Sequence, residues 1–379
     1  MPHMPFTSTS LLPTPPNEGI TLPELHLFAD ISSHGFGHLA IGAPVLNRIL
    51  EIAPKITLTL RSGLPPEKLR ERIHAPFQHI AGRTDFGCVM HNAMHVDHEA
   101  TAALYRQQHA DWATKVDLEA QFLLDLKPTL VLSNVSYLPL AGAARAGIPS
   151  LAICSLNWAD IFSHYFSGES WAAPIHADIL AAYRSAQQFL RITPGMPMSN
   201  LDNITPVGPI ASRGQRQDLG LNGARAVLIS LGGIGHRVPV ESWPRIPGIR
   251  WLVSADWQCT HPDAIAYESL GLNFTDLLCA VDAVITKPGY GTFTECCCNG
   301  TPVLYARRED WPEQDCLIDW LEAQGRCAEI SPATLASGDL ANALENLWRM
   351  PHRPIPAASG ADEAARLILA VLRNASQPA

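Results

Sequence analysis

Three glycine-rich turns carry the residue types that could do chemistry. The first, "SHGFGH" at 33–38, sets His34 and His38 around Gly35 and Gly37. The second, "LGGIGH" at 231–236, holds Gly232, Gly233 and Gly235. The third, "KPGYGTFTE" at 287–295, places Lys287, Gly289, Gly291, Thr292 and Glu295 in close succession. Glycines just ahead of a helix let backbone N–H groups and the positive end of the helix dipole approach a phosphate. A histidine there adds a group that can take a proton at neutral pH. Each turn alone could be a plain strand-to-helix turn needing positive φ, whereas three together suggest a lined cleft. No turn is a Walker A loop, because no Gly-Lys-Ser/Thr follows at the required spacing, and the first lacks the third glycine of a GxGxxG fingerprint. A P-loop kinase and a dinucleotide dehydrogenase are therefore disfavoured. Thr292 and Glu295 stand three residues apart, so Glu295 could grip a diol such as ribose or close a capping box on Thr292.

The elements that must position these turns follow an alternating pattern. Short apolar runs ("LHLFADI", "KITLTL", "TLVLSNV", "SLAICSL") alternate with helix-period segments such as "APVLNRILEI" and "LAGAARAG". The pattern restarts at "AVLISLGG", "IRWLVSA", "AVDAVITK" and "TPVLYAR", with "GTFTECCCNG" and "DCLIDWLEAQG" as helices between strands. This is the βαβ signature of doubly wound parallel sheets, repeated twice. A chain of 379 residues with 47% hydrophobic content can fill two cores. The Pro- and Ser-rich residues 1–22 read as a disordered tail, 23–200 as a first Rossmann-like domain and 201–355 as a second. The stretch 193–215 reads as their connection, and 356–379 as a terminal amphipathic helix able to return to the first domain.

Net charge of −9 and the absence of a basic cluster make nucleic acid a poor partner. No signal peptide and no apolar run of membrane-spanning length is apparent, so a soluble, cytoplasmic protein is expected. Nine cysteines without a CxxC pair then read as reduced core thiols. His91 and His95, with Asp97, His98 and Glu99 nearby, have metal-like spacing but need a helix and a further ligand, and no metal is expected.

The combination of "HGFGH", "ISLGGIG" and "DAVITKPGYGTFTECCCNGTPVLYARREDWPEQ" resembles the nucleotide-sugar glycosyltransferases of the GT-B fold. Within these it is similar to the branch of the lipid II N-acetylglucosaminyltransferase and of the plant and macrolide UDP-glycosyltransferases. A closer likeness, over about 25–330, is to the glycosyltransferase-like N-terminal region of L-arabinokinases, through "FGCVMHNAMHVD", "LVLSNV", "SLNWADIF" and "GYGTFTE". No galactokinase-like half is present, so the kinase activity is not transferred.

The resemblance implies two Rossmann-like domains facing a cleft, with a UDP-linked sugar as donor and a hydroxyl as acceptor. Transfer would be inverting and metal-independent, and no cofactor beyond the donor is implied. His38 falls where the family's general base stands, with His34 orienting the loop or touching substrate. The family supports that base with an aspartate where this chain has Asn134, so Asp160 or Asp97 would have to serve, or catalysis would be slow or absent. The resemblance puts Gly232, Gly233, Gly235, Lys287, Gly289, Gly291 and Thr292 around the diphosphate, joined by Arg307 and Arg308. It puts Glu295 on the ribose, and Glu313 and Gln314 on sugar hydroxyls. The polar 91–99 segment would face the acceptor. Beside the transferase, the residues leave open a non-catalytic nucleotide-sugar-binding module and a sugar-nucleotide epimerase or hydrolase.

Overall fold

The apolar runs become buried parallel strands in a computed structural model that describes residues 25–232 and 237–375. The segment 1–22, Gly233 and Gly235 lie outside the described residues. The first sheet is built from β1 (His26–Ile31), β2 (Thr57–Ser62) and β3 (Gln78–Ala81). A small antiparallel hairpin of β4 (Met90–Asn92) and β5 (His95–Val96) comes next. The first sheet then resumes with β6 (Leu130–Asn134), β7 (Ser150–Cys154), β8 (Gln188–Thr193) and β9 (Ile204–Pro209). Its spatial order is β3-β2-β1-β6-β7-β8-β9. The second sheet takes β10 (Arg225–Ile229), β11 (Ile249–Val253), β12 (Ala264–Ala266), β13 (Ala283–Thr286), β14 (Val303–Tyr305) and β15 (Cys327–Glu329), ordered β12-β11-β10-β13-β14-β15. Helices cover both faces of each sheet, which is why "LVLSN" and "SLAIC" are apolar-rich and buried at every position.

In each sheet the strand order reverses beside one strand, β1 in the first and β10 in the second. Ligands of open parallel sheets bind beyond the carboxyl ends of strands at such reversals. The turns at 32–38 and 135–137 leave β1 and β6, and those at 230–232 and 287–289 leave β10 and β13. All four segments therefore sit at the two switch points.

The 193–215 stretch is not a simple connection. It carries β9, whose "ITPVGP" pairs with β8 along one side only. Prolines cannot donate to a ladder and are tolerated at a sheet edge, and they hid this strand in the sequence. The final helix, Gly360–Ala375, packs on the helix Gly37–Ile52 and on β9, burying Ala364, Ala365, Ile368, Leu369 and Leu372. Gly360 lies directly on the Gly208 backbone, where a Cβ would have no room. Arg48 Nε donates to Asp362 at 2.7 Å, and Gly208 N–H donates to Glu363 at 2.7 Å.

One buried ionic cluster ties β1 to β2 just below the first switch point. Arg61 donates to Asp30 (2.6 Å) and in bidentate fashion to Glu119 (3.0 and 2.6 Å), while Thr84 donates to Asp30 at 2.8 Å. Burial alone would depress the Arg61 pKa, yet Asp30 and Glu119 hold it above its usual value. Phe28 and Phe122 each lie 5.0 Å from the guanidinium carbon, completing a dry enclosure. Replacing Arg61 with Met leaves two buried carboxylates without their counter-charge, and urea unfolding should show a loss of about 3–5 kcal/mol.

Candidate functional site at the inter-domain cleft

The site forms where the first turns of two helices meet. Helix Gly37–Ile52 starts after Phe36 and helix Tyr290–Asn299 after Gly289; neither has a side-chain cap or an acidic residue in its first turn. A Cβ on Gly291 would stand only 2.9 Å from Ala40 Cβ, so glycine permits this approach. The sequence reading placed Gly291 at a diphosphate; the structure gives it this packing contact between domains as well. Gly35, at φ +89°, makes the sharp turn that precedes the first helix. Two helix starts, with N–H groups unpaired among the described residues, present their positive dipole ends to one region.

Lys287 completes an anion-attracting wall. Its Nζ lies 3.7 Å from where a Cβ would stand on either Gly232 or Gly289, so the ammonium rests against both turns of the second domain. Gly232 needs glycine independently, with φ of +87°. Burial, helped by the neighbouring Arg308 charge, lowers the Lys287 pKa to about 7, against the opposing pull of Glu313. Thr292 occupies the third position of its helix and is partly exposed beside the glycines.

His38 is the second residue of the helix Gly37–Ile52, whose first turn packs on Gly291. It is 6% exposed, with Nδ1 3.8 Å from Cys154 Sγ. Burial lowers its pKa to about 4, while the adjacent Asn134 amide opposes that fall. Asn134 donates to the Ile153 carbonyl at 3.2 Å, but its Oδ1 makes no well-aligned hydrogen bond, so it lies beside the imidazole without closing on it. Val135, the next residue, is held at φ +71°, an uncommon conformation for a β-branched side chain. Tyr183 donates to the Val135 carbonyl at 2.6 Å and Ser133 donates to the Ser136 carbonyl at 2.5 Å, pinning this strained turn. Asp160 and Asp97 do not reach the histidine among the described contacts: both serve helix starts, Asp160 bonded to Asn157 and Asp97 capping Ala100 N–H.

His34 is a loop anchor. Its Nε2 meets the Cys88 carbonyl at 3.0 Å, and its ring packs edge-on against Trp158 and parallel to Trp311. Burial and the His38, Arg308 and Lys287 charges bring its pKa down to about 3. Trp158 is itself fixed by Asp85, which accepts from its indole N–H at 2.7 Å.

Three residues aligned with sugar and ribose contacts are committed elsewhere. Glu295, 2% exposed in its side chain, pairs with Arg72 of the first domain at 2.5 Å and 3.3 Å. It neither caps Thr292 nor faces the glycine turns. Glu313 accepts from Ser155 of the first domain at 2.5 Å and from Trp311 at 3.2 Å, and its burial raises its pKa. The Gln314 amide pairs with the backbone N–H and carbonyl of Arg308, at 3.0 and 3.2 Å. Arg308 is buried, whereas Arg307 is half exposed and bound to Asp315 and Glu329, away from the cleft. Arg72, Ser155, Cys154 and Trp158 escaped sequence reasoning because no local spacing marks a partner far along the chain.

The 91–99 segment is a hairpin followed by a helix start. His91 lies 3.6 Å from Asp97 and His95 lies 3.1 Å from Glu309. Among the described residues no three His, Cys, Asp or Glu side chains converge as a metal site, and the nine cysteines are unpaired thiols.

No protein-family profile matches the chain. It is 25% identical over 329 residues to an L-arabinokinase of Arabidopsis thaliana, and 29% identical over 102 residues to an uncharacterized glycosyltransferase of Methanopyrus kandleri. These matches cover 81% and 26% of this chain and 30% of each relative's length. Among solved structures, the calicheamicin glycosyltransferase CalG4 aligns with a TM-score of 0.61 at 16% identity, over 93% of this chain and 100% of that one. The glycosyltransferase VinC in complex with dTDP aligns at 0.58 and 14%, over 93% and 99%. The chain has the GT-B fold, two Rossmann-like domains about a cleft, and its likenesses are to an L-arabinokinase and to glycosyltransferases. None of its described helices is long and apolar enough to cross a membrane.

The Arg72–Glu295 pair links the domains through a nearly dry contact. Arg72→Ala should lower unfolding stability by about 3 kcal/mol, because a buried carboxylate loses its partner. A double-mutant cycle with Glu295→Gln in urea should return a coupling of at least about 1 kcal/mol.

Proposed function

We propose that the protein transfers a sugar from a nucleotide diphosphate, with UDP as the carrier, to an acceptor hydroxyl. The observation that carries this reading is the convergence of Lys287, the Gly232 and Gly289 turns and two uncapped helix starts, one of which carries a neutral, buried His38. The acceptor oxygen gives its proton to an imidazole nitrogen of His38 as it bonds to the anomeric carbon. The bond from that carbon to the diphosphate breaks on the opposite face, inverting the centre. Charge builds on the departing phosphate, where the Lys287 ammonium and the helix N–H groups meet it. Glu295 would reach the ribose only after releasing Arg72, so the diphosphate is the main handle on the donor.

A second reading, a nucleotide-sugar-binding module without turnover, is favoured by one feature: His38 has an amide and a thiol beside it and no carboxylate among the described contacts. An amide orients an imidazole but does not stabilise the imidazolium that a base becomes.

Calorimetry with UDP and turnover of UDP-sugars test both readings. His38→Ala should keep UDP affinity within about threefold while cutting turnover by roughly a hundredfold or more. Asn134→Asp should raise the wild-type rate if His38 is the base. UDP binding without turnover in any variant favours the module, and absence of UDP binding rules out the donor assignment. Because the free-enzyme imidazole is neutral down to about pH 4, the acid limb of kcat/KM should lie well below the usual histidine value. Lys287, about half protonated near pH 7 when empty, should become fully charged when a diphosphate binds. UDP binding slightly above neutral pH should then take up part of a proton, read from the buffer dependence of the binding heat, and Lys287→Met should abolish that uptake.

A further inference from the structure

Arg308 is 6% exposed and forms no ion pair among the described residues. Among the described residues its Nε is buried without a hydrogen-bond partner, and Nη2 has only the Met90 sulfur, at 4.0 Å. Nε and Nη2 share one edge of the guanidinium, where two parallel N–H donors match the spacing of carboxylate oxygens. Buried donors are rarely left unmade, so an open edge on a buried cation needs an explanation.

The surroundings hold this guanidinium in place and, among the described residues, give that edge no acceptor oxygen. Trp311 lies under it at 3.9 Å, fixed through its indole N–H by Glu313 and stacked on His34. Gln314 clamps the Arg308 backbone on both sides. Glu313, whose charge Arg308 senses, already accepts from Ser155 and Trp311. Met90 and the nearby Cys88 and Tyr165 belong to the first domain, so the open edge lies where the two domains meet. Lys287 rests against the Gly232 and Gly289 turns, with Arg308 near enough for its charge to lower the lysine's pKa.

We infer that the Nε–Nη2 edge of Arg308 binds a carboxylate carried by a substrate, separately from the diphosphate at Lys287. The inference rests on the cleft being a sugar-transfer site. The ligand is a sugar acid, supplied either as the donor's sugar or as the acceptor. Trp311, Glu313 and Gln314 are positioning residues for that contact, which explains why the latter two point at Arg308 and its support.

The test compares full-length wild type with Arg308→Lys, which keeps charge but loses the fork, and Arg308→Gln. Calorimetry would measure UDP alone, UDP-glucuronic acid against UDP-glucose, and galacturonate against galactose with and without UDP. Wild type should prefer the carboxylate member of one pair by about tenfold or more. Both variants should lose that preference to within about threefold while binding UDP as wild type does. Preference in the nucleotide pair assigns the carboxylate to the donor sugar, and preference in the free-sugar pair assigns it to the acceptor. Absence of preference in wild type overturns the inference, even where a variant fails to fold. A loss of UDP affinity in Arg308→Gln as large as the loss for the carboxylate ligands also overturns it, by making Arg308 a diphosphate ligand. If UDP does not bind wild type, the proposed donor fails, and the free-sugar pair without UDP still decides the role of Arg308.

Discussion

The close contact between two helix starts, Gly291 against Ala40, is the constraint on which the cleft depends. Bringing two positive dipole ends together is unfavourable, and no acidic side chain in either first turn offsets it. The approach is held from outside by bonds to the stretch that joins the sheets and by bonds across the domains. Tyr290 accepts from Ile210 N–H and donates to the Thr193 carbonyl, Asn299 grips the backbone at Ser212 and Gly214, and Arg72 and Ser155 hold Glu295 and Glu313. The positive region is thus built by packing elsewhere, and it gains most from a ligand that brings negative charge.

The same economy governs the titratable groups. His34, His38, Lys287 and Arg308 all have pKa values pushed down, chiefly by burial, and several of them repel one another. The imidazoles respond by staying neutral, which suits proton acceptance. Arg308 stays charged, and Lys287 stands between the two, so its charge is the one most responsive to a bound anion.

What was legible in the sequence was local. Glycine punctuation after apolar runs marked the turns at 33–38, 231–232 and 287–291, because strand ends and helix starts are decided within a few residues. The strands "TLVLSNV" and "AVDAVITK" were legible from apolar runs alone. What failed was whatever needed a partner far along the chain. Arg72 and Glu295 are 223 residues apart, and nothing in "TFTE" announces that its carboxylate will be taken. The resemblance puts Gln314 on a sugar hydroxyl, and nothing in its neighbourhood announces that its amide bonds the Arg308 backbone. β9 was hidden by the prolines that an edge strand tolerates. Burial of Arg308 was likewise unreadable, since a loop arginine is ordinarily exposed.

The helix Gly360–Ala375, resting on Gly37–Ile52 and β9, bears on how the protein is made. On a ribosome the first sheet can form long before residue 360 is synthesised, but the face that receives this helix stays open until the second domain has emerged. The first domain is therefore finished last, with its apolar face exposed to solvent or to a chaperone throughout the interval. Completion of the fold is set by vectorial synthesis, and the helix that carries His38 receives its final support only when the chain has folded back on its own beginning.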